Sequence, residues 1–208
     1  MFNKNLEYLN NNDLKERLRA LRIDETKANI SYCMTPTNDY VLMKNEVPLD
    51  DLDNPRKAIR DMMNESIKKP MGSNDIIITF GIGLCYQLDE VFNTYPSRIF
   101  IYEPDTKLLH FVLNNVDISE HLQSGRVFIY DNLDDLISKL SAIYLTKDKV
   151  EVLYLKNYSI VKSQELLMLT QKVYSACKSK TVDINTITIY SKIWLDNTLK
   201  NLKYIDIY

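Results

Sequence analysis

Glycine is scarce in this chain, at four residues in 208, and histidine is scarcer at two. So few glycines argue against glycine-rich repeats or linkers. They also give weight to a pair standing one residue apart, Gly81 and Gly83. The three cysteines, Cys33, Cys85 and Cys177, are odd in number, widely spaced and without a CxxC, which argues against a disulfide framework or a zinc module. Neither His110 nor His121 has a partner at metal-ligand spacing. No apolar run approaches the roughly 20 residues of a membrane span. The polar, amphipathic start MFNKNLEYLNNNDLKERL lacks the apolar centre of a signal peptide, so the expected location is cytoplasmic. Lys and Arg total 26 against 28 Asp and Glu, a formal charge of −2, and there is no basic stripe. Neither nucleic acid nor membrane is an expected partner. Walker A, GxSxG and HExxH patterns are missing too, and no catalytic residue is assigned.

What is present is a 45% hydrophobic chain, enough for a sizeable core. Residues 1–70 read as an N-terminal helix, a hairpin and an entry helix. Leu6, Leu9, Leu14, Leu18 and Leu21 give the first helix its apolar face, interrupted at Asn10-Asn11-Asn12. Asn29–Cys33 and Tyr40–Met43 flank a turn composition, which predicts an antiparallel hairpin. Asn54-Pro55 is a helix start, with Asn as N-cap and Pro at the first helical position.

Residues 71–158 alternate strands and helices. The β-branched runs Ile76–Phe80, Ile99–Tyr102, Val127–Tyr130 and Val150–Leu155 are separated by helical patterns, with a capping-box spacing at Asp117–Glu120. This predicts an α/β fold, a Rossmann-like and mostly parallel sheet with strand order 3-2-1-4. Residues 159–208 read as two long helices, Ile160–Cys177 and Asp183 to about Ile205. No stop signal closes the second, which suggests a linker into a further domain.

The turn Gly81-Ile82-Gly83 follows the first core strand, and Glu103 closes the second about twenty residues on, where Rossmann folds place a ribose-binding carboxylate. Gly81, Gly83 and Glu103 are therefore candidate binding residues for a nucleotide or S-adenosylmethionine. Asp131, at the end of the third strand, is a candidate for an adenine contact or a helix cap. Each fingerprint is incomplete: Tyr86 and Cys85 stand where the third glycine of the dinucleotide and methyltransferase patterns would be, and Thr79 where the latter has an acid. The bland alternative is a tight turn, with Asp105 capping the next helix and Glu103 solvated. Asp50-Asp51 and Asp134-Asp135 read as solvated loop and first-turn acids.

The run Phe80-Gly-Ile-Gly-Leu-Cys-Tyr-Gln-Leu88, then Ile101-Tyr-Glu-Pro-Asp105 and Ser124-Gly-Arg-Val127, resembles the N-terminal region of the motility accessory factor (Maf) proteins. Asn185-Thr186, Trp194, Asn197 and Asn201-Leu202 look like the helix leading into that family's central domain. The chain departs from the family at Cys85, often glycine there, and around the Asn54-Pro55 helix start. The resemblance implies an accessory domain of a flagellin-modifying glycosyltransferase. Its partners would be flagellin and its own downstream transferase domain, which uses nucleotide-activated nonulosonic acids. Catalysis would then lie outside this chain. A methyltransferase using S-adenosylmethionine and a ligand-free interaction module are the other readings.

Overall fold

The computed structural model describes residues 1–22 and 29–182. It opens with two short helices, α1 (Phe2–Tyr8) and α2 (Asn12–Ala20). The expected interruption is made by Asn11, whose side chain accepts from the Leu14 amide at 3.0 Å and caps α2. Strands β1 (Ile30–Met34) and β2 (Tyr40–Lys44) form the expected hairpin. A two-residue strand, β3 (Val47–Pro48), joins it unannounced by the sequence, after a turn with positive φ at Asn45 and Glu46. Helix α3 (Pro55–Ser66) begins as expected, the Asn54 side chain accepting from the Lys57 amide at 2.9 Å.

The core runs β4 (Ile76–Phe80), α4 (Tyr86–Thr94), β5 (Arg98–Tyr102), α5 (Thr106–Asn115), α6 (Ser119–Gln123), β6 (Val127–Tyr130), α7 (Leu133–Ile143) and β7 (Val150–Tyr154). Its four strands are parallel in the order β6-β5-β4-β7, the 3-2-1-4 order expected. Every residue of β4 is buried, as its unbroken apolar run requires of a strand covered on both faces. The register sets Phe80 beside Tyr102 and Tyr154, and Tyr102 beside Tyr130. Residues level with one another in a parallel sheet share a face, so a row of aromatic rings marks its carboxyl edge. Arg126 closes the opposite end, donating to the carbonyls of Phe92, Tyr95 and Ser97 while its guanidinium lies 3.7 Å from the Phe92 ring centroid. The Phe92 and Tyr95 carbonyls lie at the end of α4, where helix carbonyls lack donors of their own.

After β7 the chain turns into α8 (Lys156–Val161) and then α9, helical from 163 to 182. One helix from Ile160 was expected; instead helix begins at Lys156 and is interrupted at Lys162, with φ −119° and ψ 40°. The helix expected over Asp183 to about Ile205 lies outside the described residues. No helix among the described residues is long and apolar enough to cross a membrane.

A single buried cluster holds Leu6, Leu18, Leu42, Ile59, Phe100 and Leu169, so segments from 1–70, 71–158 and 159–182 share one core. Asn5 is one of the polar residues buried alongside it, with no exposed surface. Its amide donates to the carbonyls of Leu113 and Val116 at 2.8 and 2.7 Å, and its oxygen accepts from the Ile118 amide at 2.9 Å. Asn5→Ala leaves three buried backbone groups unpaired and should lower unfolding free energy by roughly 2–4 kcal/mol. Urea denaturation checks this; a change too small to resolve would show that the helix junction does not depend on Asn5.

Candidate functional site

The β4–α4 turn alternates left-handed positions: Gly81 at φ 88°, Gly83 at φ 49° and Cys85 at φ 66°. Cys85 is the N-cap of α4 without a side-chain bond to the helix, a conformation that glycine adopts at lower cost. The chain's own side chains fill the space beside both glycines. A Cβ on Gly81 would lie 2.6 Å from Cδ1 of Tyr158, and one on Gly83 would lie 2.8 Å from Oδ2 of Asp50. Glycine is needed here for close approach by protein groups, whatever else the turn once met.

Glu103 has no exposed surface, where the bland reading had it solvated. One carboxylate oxygen, Oε2, accepts from the Ile82 amide at 3.1 Å. The other, Oε1, accepts from the Asp105 amide at 2.9 Å and from the Tyr158 hydroxyl at 2.5 Å. Burial pushes the carboxyl up to about 7; the Tyr158 and Ile82 hydrogen bonds and the charges of Lys44 and Lys162 pull the other way. Burial likewise raises the Tyr158 phenol, with the Glu103 charge adding to it. The Tyr158 ring packs on Phe80, centroids 5.3 Å apart, and carries α8 over the turn.

Asp105 takes the capping role expected of it, accepting from the amides of Lys107 and Leu108 at 3.1 Å each, and pairs with Lys44 of β2. Asp131 does not cap α7. Asn132 does, accepting from the Asp134 and Asp135 amides at 2.8 and 3.2 Å. The Asp131 carboxylate is held by Arg17 of α2 at 2.6 Å and by the Thr106 hydroxyl at 3.0 Å. Thus Gly81, Gly83 and Glu103 come together, while Asp131 stands at the end of β6, two strands from β4.

Two residues at this site were not read from the sequence. Tyr158 follows a strand end and looks like an ordinary helical aromatic; only the missing Cβ of Gly81 explains its place. Asp50, expected to be a solvated loop acid, is 5% exposed. It follows Leu49, itself 1% exposed, and the packing of that leucine draws the aspartate under the loop. Asp51, its neighbour, fits the loop reading, accepting from the Asp53 and Asn54 amides at 2.9 and 2.8 Å. Burial, with the Asp51 charge beside it, pushes Asp50 up to about 7.

Burial raises the Cys85 thiol, so it is not a thiolate nucleophile. His110 packs on Phe2, and His121 lies 3.1 Å from Asp89 against the Phe92 ring. Among the described residues no group of three His, Cys, Asp or Glu could hold a metal ion.

Two outcomes follow from these contacts. Gly81→Ala should cost at least about 2 kcal/mol in a melting experiment, from the left-handed backbone and the clash with Tyr158. The raised carboxyls set the sign of the pH response. Asp50 and Glu103 bind protons more tightly folded than unfolded, so their stabilising effect is full below about pH 4 and is lost as pH rises through about 7. Unfolding free energy should fall from pH 5 to pH 8 by on the order of 3 kcal/mol for each group, with melting temperature falling alongside it, and an Asp50→Asn, Glu103→Gln double variant should flatten that slope.

No protein-family model matches the chain, and no curated protein sequence matches it. Among solved structures it is similar to the Maf glycosyltransferase from Magnetospirillum magneticum AMB-1, with a TM-score of 0.55 and 17% identity over 83% of this chain. The match takes in 35% of that protein, so the chain spans about a third of its length. At such identity the likeness is one of fold: a Rossmann-like α/β arrangement, distantly related to that of a Maf glycosyltransferase.

Proposed function

We propose that this chain is a non-catalytic α/β module of a Maf-type glycosyltransferase that modifies flagellin with nonulosonic, sialic-acid-like sugars. The transferase centre would lie in a domain outside it. The observation that carries this reading is the likeness in fold to a Maf glycosyltransferase over 83% of the chain.

The residues behind the family resemblance also behave as scaffold. Glu103 ties the glycine turn to the end of β5, Asp105 caps α5, and Arg126 caps α4. A module of this kind would hold the catalytic domain or the flagellin acceptor in place. The dinucleotide and methyltransferase readings need open space at the glycine turn, where the Tyr158 ring sits; that contact weighs against both.

In the organism that encodes the chain, deleting its coding region should remove the nonulosonic modification, read as a loss of flagellin mass by intact-protein mass spectrometry. Unchanged flagellin mass would overturn the proposal. The purified chain should give no saturable heat with S-adenosylmethionine or NAD in calorimetry; micromolar binding of either would restore the cofactor readings.

A further inference from the structure

Beside the filled glycine turn lies an open cleft of about 430 Å³ between α3 and the carboxyl end of β7. The strand order reverses between β4 and β7, and ligands of open α/β sheets bind outside the carboxyl ends at such a reversal. One wall is apolar, formed by Pro55, Ala58, Ile59 and Met62 of α3. Tyr154 and Leu155 at the end of β7 face it.

The charges around this cleft are one-sided. Asp50, Asp51, Asp61 and Glu65 line it against a single basic residue, Lys156. Acids on a helix and a loop are commonly solvated, and these would mean little without Asp50. That residue is 5% exposed, yet its carboxyl has no hydrogen bond or ion pair among the described residues. Its neighbours are otherwise engaged: Asp51 caps the turn before α3, and Asp61 pairs with Lys57 at 2.5 Å. A carboxyl so deeply buried normally finds a partner.

We infer that the cleft binds an alkylammonium or guanidinium group, its cation on the Asp50 carboxyl and its aliphatic stem along Ile59 and Met62. Lysine and arginine side chains divide themselves in this way between apolar surface and a polar end. A metal ion does not suit the site, since no three acids among the described residues converge on one point. An anion would face four carboxylates and one ammonium. The cation has two sources, a free amine or a basic side chain of a partner protein, and the site's chemistry is the same for both. The inference holds whether or not the chain belongs to a glycosyltransferase.

Titration of the whole chain with cadaverine, an unbranched diamine, tests it by amide chemical shifts. Saturable shifts at Ala58, Met62 and Tyr154 are expected, with none from glutarate, the corresponding dicarboxylate. Asp50→Asn should weaken cadaverine binding at least about tenfold. Glu65→Lys, at an exposed position, should weaken it several-fold, and decides the matter if Asp50→Asn fails to fold. Nα-acetyl-lysine amide distinguishes the sources: tighter binding than cadaverine assigns a partner's basic side chain, and weaker binding assigns a free amine. Absence of saturable binding by both amines, equal response to glutarate, or undiminished affinity in Glu65→Lys would overturn the inference.

Discussion

The buried carboxyl of Glu103 is the contact around which the carboxyl edge of the sheet is organised. Its two oxygens receive the Ile82 amide from the turn after β4, the Asp105 amide at the start of α5, and the Tyr158 hydroxyl from α8. Three segments far apart in sequence meet on one side chain without exposed surface. A buried carboxyl is tolerated only when it is neutral or well supplied with donors, and here both conditions operate. The turn can therefore be tight, the ring of Tyr158 can lie on Gly81, and the strand ends can stay closed to water.

The fold was legible because burial leaves a strong mark in sequence. β4, β5 and β6 announce themselves as short β-branched or aromatic runs, and strands alternating with helices leave few topologies. Local chemistry at Asn54-Pro55 and Asp105 was legible for the same reason: an N-cap needs only its next few residues. β3 was not, because two residues carry no periodicity and its pairing depends on left-handed Asn45 and Glu46. Nor was the break at Lys162, where the apolar pattern continues across the interruption.

The site was less legible than the fold. The spacing from Gly81 to Glu103 is the same for a turn that cradles a ligand and for one that packs against its own chain, because both need the missing Cβ. What separates them is a contact with Tyr158, 77 residues after Gly81, for which no local pattern exists. Asp50 is the same lesson with charge: nothing next to it distinguishes a carboxyl drawn under a loop from one in water. Asp131 shows how one residue shifts a role, since its neighbour Asn132 takes the cap and leaves Asp131 to Arg17.

The bonds of Asn5 also impose an order on synthesis. Its three partners lie at Leu113, Val116 and Ile118, so α1 leaves the ribosome long before anything exists for it to dock on. Arg17 waits in the same way for Asp131. Until those segments emerge, the apolar faces of Leu6, Leu9, Leu14 and Leu18 have no core to enter. The hairpin and β4 can pair and collapse in the meantime with residues close by in the chain. Helices α1 and α2 are thus made before the segments that hold them and placed only after those emerge, their apolar faces uncovered in the interval.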